Sequence, residues 1–557
     1  MRSLFPATLI LLTLAHSPLR SQPPSAACAA INLDQNWKEP VKLSFWFTTQ
    51  GSRLMPYAWF VALEAPWAEI PFRGSHVMDD LLGFIAVAPS PQWNPDGLPI
   101  GFVKVADTKG DTFVGLTCAA CHTAKLEIQG VSRMVEGAPA IADFATFLSW
   151  IVDALEKTLA EPAKFDRFAQ KVLGPGGAGT AKETLRQGLG QKTQELRERR
   201  ARNAHAEPYG YARVDAFGHI LNELLAKDLG IPANRREPNA PVSYPALWDT
   251  PRHDRVQWNG VAPNIGNIGP MLRNIGEVIG VFGVVKVRPS PLRPPFYASS
   301  IRTDKLDNLE GALNSLWSPA WPKSCLPIDP ARASRGRGLY DSTCKGCHEP
   351  IDRTSQAKFQ ARMVPISPDL NTDATMANNF ANRQAATGGL KGTPKRFFPG
   401  PLFGDTASGA EILGNAAFGV YLGRSLSLLA DNFANPLEIL GQVSVKDVGA
   451  VLDRMGDKTT PQYKARPLNG IWATAPYLHN GSIPNLEQLL KPYKERDKHF
   501  YVGSRRFDPV RVGLSTEKDG LRDFLFDTTK PGNLNTGHDW TVAPEHRQDL
   551  IEYLKTL

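Results

Sequence analysis

Apolar residues recur at helical spacing in several stretches of the chain, and this pattern predicts most of its elements. After Asp143, the residues Phe144, Phe147, Leu148, Ile151 and Leu155 share one face, so an amphipathic helix is expected there. A second, highly charged helix is expected over Ala181 to Arg202 and a third over Val214 to Leu229. Phe45 to Leu63 is apolar and aromatic with Gly51 at its centre, which predicts two packed segments joined by a turn. Lys125 to Val135 reads as a short hairpin turning at Gly130. Ala331 to Leu339 predicts a helix whose Gly336 and Gly338 offer a small surface for a close crossing. Its partner is expected at the chain's end, where Pro544 to Leu557 carries Leu550, Ile551, Tyr553 and Leu554. The fold class expected is mainly α, loop-rich and with little β.

Composition divides this picture into regions. At 557 residues the chain is long enough for two or three cores, and its 46 prolines and 47 glycines imply many loops between short helices. Prolines crowd between Val287 and Pro330, which marks a boundary. Arg2 followed by the apolar run Leu9 to Leu14 reads as a secretory signal, with cleavage after Ser17 or Ala27. The expected order is a signal peptide at 1–27, an N-terminal region at 28–286, a Pro-rich connector at 287–329 and a C-terminal domain at 330–557. Location is then periplasmic or secreted. No later stretch approaches the roughly 18 apolar residues of a membrane span. The net charge of +8 is spread among both signs, and an exported chain is not expected to meet nucleic acid. The basic run Arg197 to Arg202 reads as a solvated helix face, or as a docking patch for an acidic redox protein.

Cysteines bring in the chemistry. Four of the six lie in two Cys-x-x-Cys-His runs, Cys118-Ala119-Ala120-Cys121-His122 and Cys344-Lys345-Gly346-Cys347-His348. Such a run attaches haem c: each cysteine forms a thioether to a vinyl group, and the histidine ligates iron from below. Zinc would need further ligand pairs at suitable spacing, and a redox Cys-x-x-Cys needs no following histidine. Two covalently bound haem c groups are therefore expected, with His122 and His348 as proximal ligands. The remaining Cys28 and Cys325 can pair in an oxidising compartment, although the sequence does not show that they meet. Crossing helices beside the second motif resemble the class I cytochrome c fold, with insertions.

The segment Thr474-Ala475-Pro476-Tyr477-Leu478-His479-Asn480-Gly481-Ser482 closely resembles that of bacterial di-haem cytochrome c peroxidases. A wider set, including FWFTTQGS at 45–52, LTCAACHT at 116–123, YPALWDTPRHDRVQWNG at 244–260, FYVGSRRFDP at 500–509 and NTGHDW at 535–540, resembles the rubber oxygenase-like branch of that superfamily. The resemblance implies an axial ligand fourteen residues after His479, which is Tyr493, or a distal histidine, for which the local match suggests His538. The order of preference is His538, Tyr493, His479. Candidates for the first haem are His205, His219, His253, Met134 and Met271. His219 reads as a satisfied core histidine. Arg252 and His253, with the nearby acids, could serve an open iron as charge-stabilising and proton-moving groups, or form an Arg-Asp network only. Trp258 or Trp248 could bridge the haems electronically. The function expected is an oxidoreductase that reduces peroxide at an open haem while the second haem transfers electrons, with a small redox protein as donor. A dioxygen-dependent oxygenase of the rubber-cleaving type and a plain electron carrier are the alternatives.

Overall fold

The computed structural model describes residues 28, 32–288, 296–367, 370–395, 400–432, 449–452, 460–539 and 542–557. The expected signal peptide at 1–27 and part of the connector lie outside the described residues. Asp143 caps the helix Phe144–Ala160 by accepting from the Thr146 amide, and the buried face is Phe144, Phe147, Ile151 and Leu155, with Leu148 only partly covered. The charged helix runs Thr180–Arg202, and the helix Ala216–Leu221 continues into a wider turn over Asn222–Asp228. Gly51 separates the helices Glu39–Phe47 and Tyr57–Ala62. Its φ of 92° and its approach to Ser300, whose carbonyl would lie 2.1 Å from an added Cβ, require glycine.

The expected scarcity of β structure is corrected: among the described residues helix accounts for 39% and strand for 15%. Among the described residues, nineteen short strands pair into nine small antiparallel sheets. Strands of two to six residues show too few alternations to stand out in a sequence, and many form where two loops meet, as Val285–Lys286 and Ala298–Ser299 do. The hairpin was legible because its turn is local. Thr123–Ile128 pairs with Val131–Glu136 through Gln129 and Gly130, both at positive φ as a two-residue hairpin turn requires.

The proline-dense stretch also holds the helix Thr303–Leu313, which buries Leu306, Leu309 and Leu313. Cys325, farther along, is disulfide-bonded to Cys28, with the two Cα atoms 4.8 Å apart. The bond closes a separation of 297 residues, and a disulfide typically stabilises a fold by about 2–4 kcal/mol. Near the end of the chain, Pro330–Thr343 crosses Pro544–Leu554. The crossing point is Gly336, where a Cβ would stand 1.9 Å from the Asp549 carbonyl, while Gly338 has nothing within 4 Å. Arg335 clasps the Asp549 carboxylate at 2.7 and 2.8 Å, and Tyr340 packs on Tyr553.

Two apolar clusters make up most of the interior. One gathers residues from Leu54 to Phe282, and the other runs from Leu33 to Leu554, including Ala119 in the first motif and Cys344 in the second. Buried Arg505 pairs with Asp79 and donates to the Gly83 carbonyl, so late and early parts of the chain interlock.

Candidate functional site

Each Cys-x-x-Cys-His run opens into its own cavity. The first follows a three-stranded sheet of Met55–Pro56, Thr112–Leu116 and Phe102–Ala106. There Thr117 accepts from the Ala119 amide and donates to the Trp46 carbonyl, fixing the tight turn Cys118–Ala120. Gly101 lets the neighbouring backbone pass, since a Cβ would lie 2.2 Å from the Ala120 nitrogen. His122 is held through its carbonyl by the Gly137 amide and lines a cavity of about 180 Å³. Burial pushes its pKa down to about 4, so the imidazole is neutral and able to ligate a metal.

The second motif begins as the helix Pro330–Thr343 ends. Tyr340 donates to the His348 carbonyl, and the His348 Nδ1 lies 2.7 Å from the Arg466 carbonyl. That contact places the proton on Nδ1 and turns Nε2 outward, as for an oriented metal ligand. Across the second cavity, of about 230 Å³, stands His538. The two rings are nearly parallel, 22° apart, with centroids separated by 6.2 Å. That gap is too wide for ring contact. It matches two metal–nitrogen bonds of roughly 2.0–2.1 Å each, plus the distance from each nitrogen to its ring centre. Among the described residues no imidazole stacks opposite His122 in this way: its ring neighbour is Tyr244, centroids 6.2 Å apart and inclined at 66°, while His219 and His253 stand elsewhere on the cavity wall.

His538 is held by a built loop. It has φ 50° after Gly537 at φ 89°, where a Cβ would stand 2.5 Å from the Thr372 hydroxyl. The buried Arg496 guanidinium donates to the carbonyls of Leu489, Lys491, Asn535, Gly537 and His538. Asn480 and Ser482 both donate to the Leu534 carbonyl, so the Thr474–Ser482 segment supports the loop that presents His538. Tyr493 enters by its backbone amide, which donates to Asp539, and it lines neither cavity. His479 lines the second cavity and stacks on Tyr463 at 4.1 Å.

The two cavities share a wall. Ser243, Tyr244, Ala246, Trp258, Lys464 and Arg466 line both. Trp258 donates to the Ser243 carbonyl at 2.8 Å, whereas Trp248 lines neither cavity and donates to Asn469. Burial holds the Lys464 ammonium well below its ordinary pKa, with Arg466 adding to the effect, and Lys464 donates to His253 Nδ1 at 2.8 Å. The His253 proton then resides on Nε2, a buried donor without a partner among the described residues, on the wall of the first cavity. Arg252 lines neither cavity: it pairs with Asp249 at 3.0 Å and donates to Asp352 and Ala357 near the second motif. Met134 and Met271 pack in or against the core and line neither cavity.

The donor set fits covalent haem better than the alternatives. Burial pushes the Cys118 and Cys121 thiols up to about 12 and Cys344 up to about 11, opposite to the lowered pKa of a reactive redox thiol. All four motif cysteines are free of disulfides. No cluster of three or more His, Cys, Asp or Glu side chains suited to a bare metal ion occurs among the described residues. Arg273 Nη1, buried and without a partner among the described residues, lies on the first cavity as a cation for a carboxylate.

These features define a cytochrome c-like protein, and comparison with known proteins agrees. Residues 462–501, which include Lys464, Arg466, His479 and Tyr493, match the family model described as RoxA-like, cytochrome c-like. That match supports a haem-containing, rubber oxygenase-like cytochrome c with covalently bound haem c. The chain is 32% identical to the uncharacterized protein y4iJ of Sinorhizobium fredii (strain NBRC 101917 / NGR234) over 591 residues, covering 94% of this chain and 93% of the relative. It belongs to the family of that protein. A second relative from the same strain, the uncharacterized protein y4iM, is 26% identical over 384 residues, covering 63% of this chain and 73% of its own. No helix among the described residues is long and apolar enough to cross a membrane.

Proposed function

We propose that the chain is an exported di-haem c-type cytochrome that reduces a peroxide in the first cavity and passes electrons through the second. The observation that carries this reading is the contrast between the cavities: His348 faces His538 at metal-bridging distance, whereas His122 has no such partner among the described residues. Haem supplies one-electron chemistry and, where a sixth position is open, a place for small oxygen species to react. Cys118 and Cys121 would hold one group and Cys344 and Cys347 the other. Arg273 and Arg466 offer cations for their carboxylates. Reducing hydrogen peroxide to two waters breaks the O–O bond and consumes two electrons and two protons. A small redox protein supplies the electrons, and Trp258 on the shared wall offers their path between cavities. The His253 Nε2–H is the donor placed to hydrogen-bond the oxidant.

A second reading is favoured by the apolar part of the first cavity, where Phe45, Phe144, Phe217, Leu306 and Leu313 stand together, and by the RoxA-like match. It is dioxygen-dependent cleavage of an unsaturated hydrocarbon. Carbon monoxide added to the ferrous protein tests the common premise: one responding haem is expected, and two unresponsive haems leave only an electron carrier. Peroxide consumption with a reduced cytochrome, set against product formation from an unsaturated hydrocarbon with dioxygen, divides the two readings.

A further inference from the structure

A third cavity, of about 390 Å³, lies between the helices Phe144–Ala160 and Thr180–Arg202. It reaches the surface at Ala204 and Pro208, both exposed, and Arg200 and His205 stand on its wall. Among the described residues, His219 alone lines both this cavity and the first. Phe144, Gly280 and Val281 line the first cavity, while their neighbours Asp143, Ala145 and Phe282 line the third, so the partition between them is thin.

His219 is 4% exposed, and neither of its ring nitrogens has a hydrogen-bond partner among the described residues. His219 is the core histidine expected from sequence, but its hydrogen bonds are not satisfied among the described residues. A neutral imidazole offers one donor and one acceptor, and burying both unpaired costs stability that leucine in the same space would not. A small molecule that both donates and accepts a hydrogen bond satisfies the ring. Hydrogen peroxide does, whereas an apolar gas does not.

We propose that His219 is the polar gate of a passage that admits small protic oxidants of the hydrogen peroxide class from the third cavity to the first. The substrate class rests on the peroxide reading above. The passage itself can be tested without turnover, by stopped-flow association of hydrogen cyanide with the ferric holoprotein and of carbon monoxide with the ferrous holoprotein. Losing the hydrogen bonds at the gate in His219→Leu should slow cyanide about tenfold while leaving the carbon monoxide rate within about twofold. His219→Gln, which keeps a donor and an acceptor, should restore most of the cyanide rate, and the Leu variant's melting temperature should not fall. A second variant, Ala204→Trp at the outer mouth, should slow cyanide without touching the gate. Cyanide rates insensitive to both variants overturn the passage, as does equal slowing of both ligands in His219→Leu. If the parent consumes no peroxide while the cyanide pattern holds, the peroxide reading falls and the passage stands.

Discussion

The first Cys-x-x-Cys-His run leaves a small sheet and enters a hairpin, whereas the second closes a helix that crosses the terminal helix at Gly336. Their attachment chemistry is the same, and their surroundings are not. Around the second, the His348 ring is oriented by the Arg466 carbonyl and faced by a histidine that Arg496 locks in place. Around the first, polar groups stand without partners among the described residues: His253 Nε2, Arg273 Nη1 and both nitrogens of His219. A ring oriented on one side and faced on the other suits electron transfer, and a group of unpaired donors leaves room for a visitor, although Asn469 Oδ1 on the second cavity also lacks a partner among the described residues.

The largest expected effect comes from removing each attachment pair in turn. Cys344→Ala with Cys347→Ala should halve covalent haem, measured as pyridine haemochrome, and leave a protein that still binds carbon monoxide. Cys118→Ala with Cys121→Ala should also halve it, but leave a protein that does not respond. Equal carbon monoxide binding by both double variants would erase the distinction between the regions. Next in size, His538→Ala should raise the responding haems from one to two. An unchanged spectrum would return attention to His479 in the same cavity.

A smaller effect separates the two glycines of the crossing helix. Gly336→Ala forces a Cβ against the Asp549 carbonyl and should lower stability by about 1–3 kcal/mol in thermal unfolding. Gly338→Ala meets nothing and should gain up to about 1 kcal/mol from helix propensity. The smallest effect concerns Asp549, whose pKa is lowered chiefly by the Arg335 hydrogen bond. A depressed carboxylate contributes stability above its unfolded pKa, roughly 3.9, and loses it as pH falls through the folded value. The advantage of the parent over Asp549→Asn in melting temperature should therefore hold near pH 6 and fade below about pH 4.

Legibility followed locality. The haem motifs, the helix after Asp143 and the hairpin at Gly130 are set by residues within a few positions of one another, so the sequence alone exposed them. Gly336 was legible as a small surface, but Gly338, which looks identical in sequence, meets nothing. What separates them is a chain segment more than two hundred residues away. Arg252 was legible only as two alternatives, and the fold takes the Arg-Asp network: Asp249 and two distant carbonyls engage it, and it lines neither cavity. His219 misled most, because its apolar neighbours Phe217 and Ile220 suggested a packed interior. Only the assembled fold shows two cavities meeting at its ring.

The shared wall carries a consequence for the order of assembly. Both cavities are lined by Tyr244 and Trp258 from the first half of the chain and by Lys464 and Arg466 from the last hundred residues. Neither compartment can close until nearly the whole polypeptide is present. Cys344 is buried and Cys118 and Cys121 are half-buried on the cavity wall, so a group bonded there is expected to arrive before closure. A chain cut short after the second motif would lack Lys464 and Arg466 from the walls of both cavities.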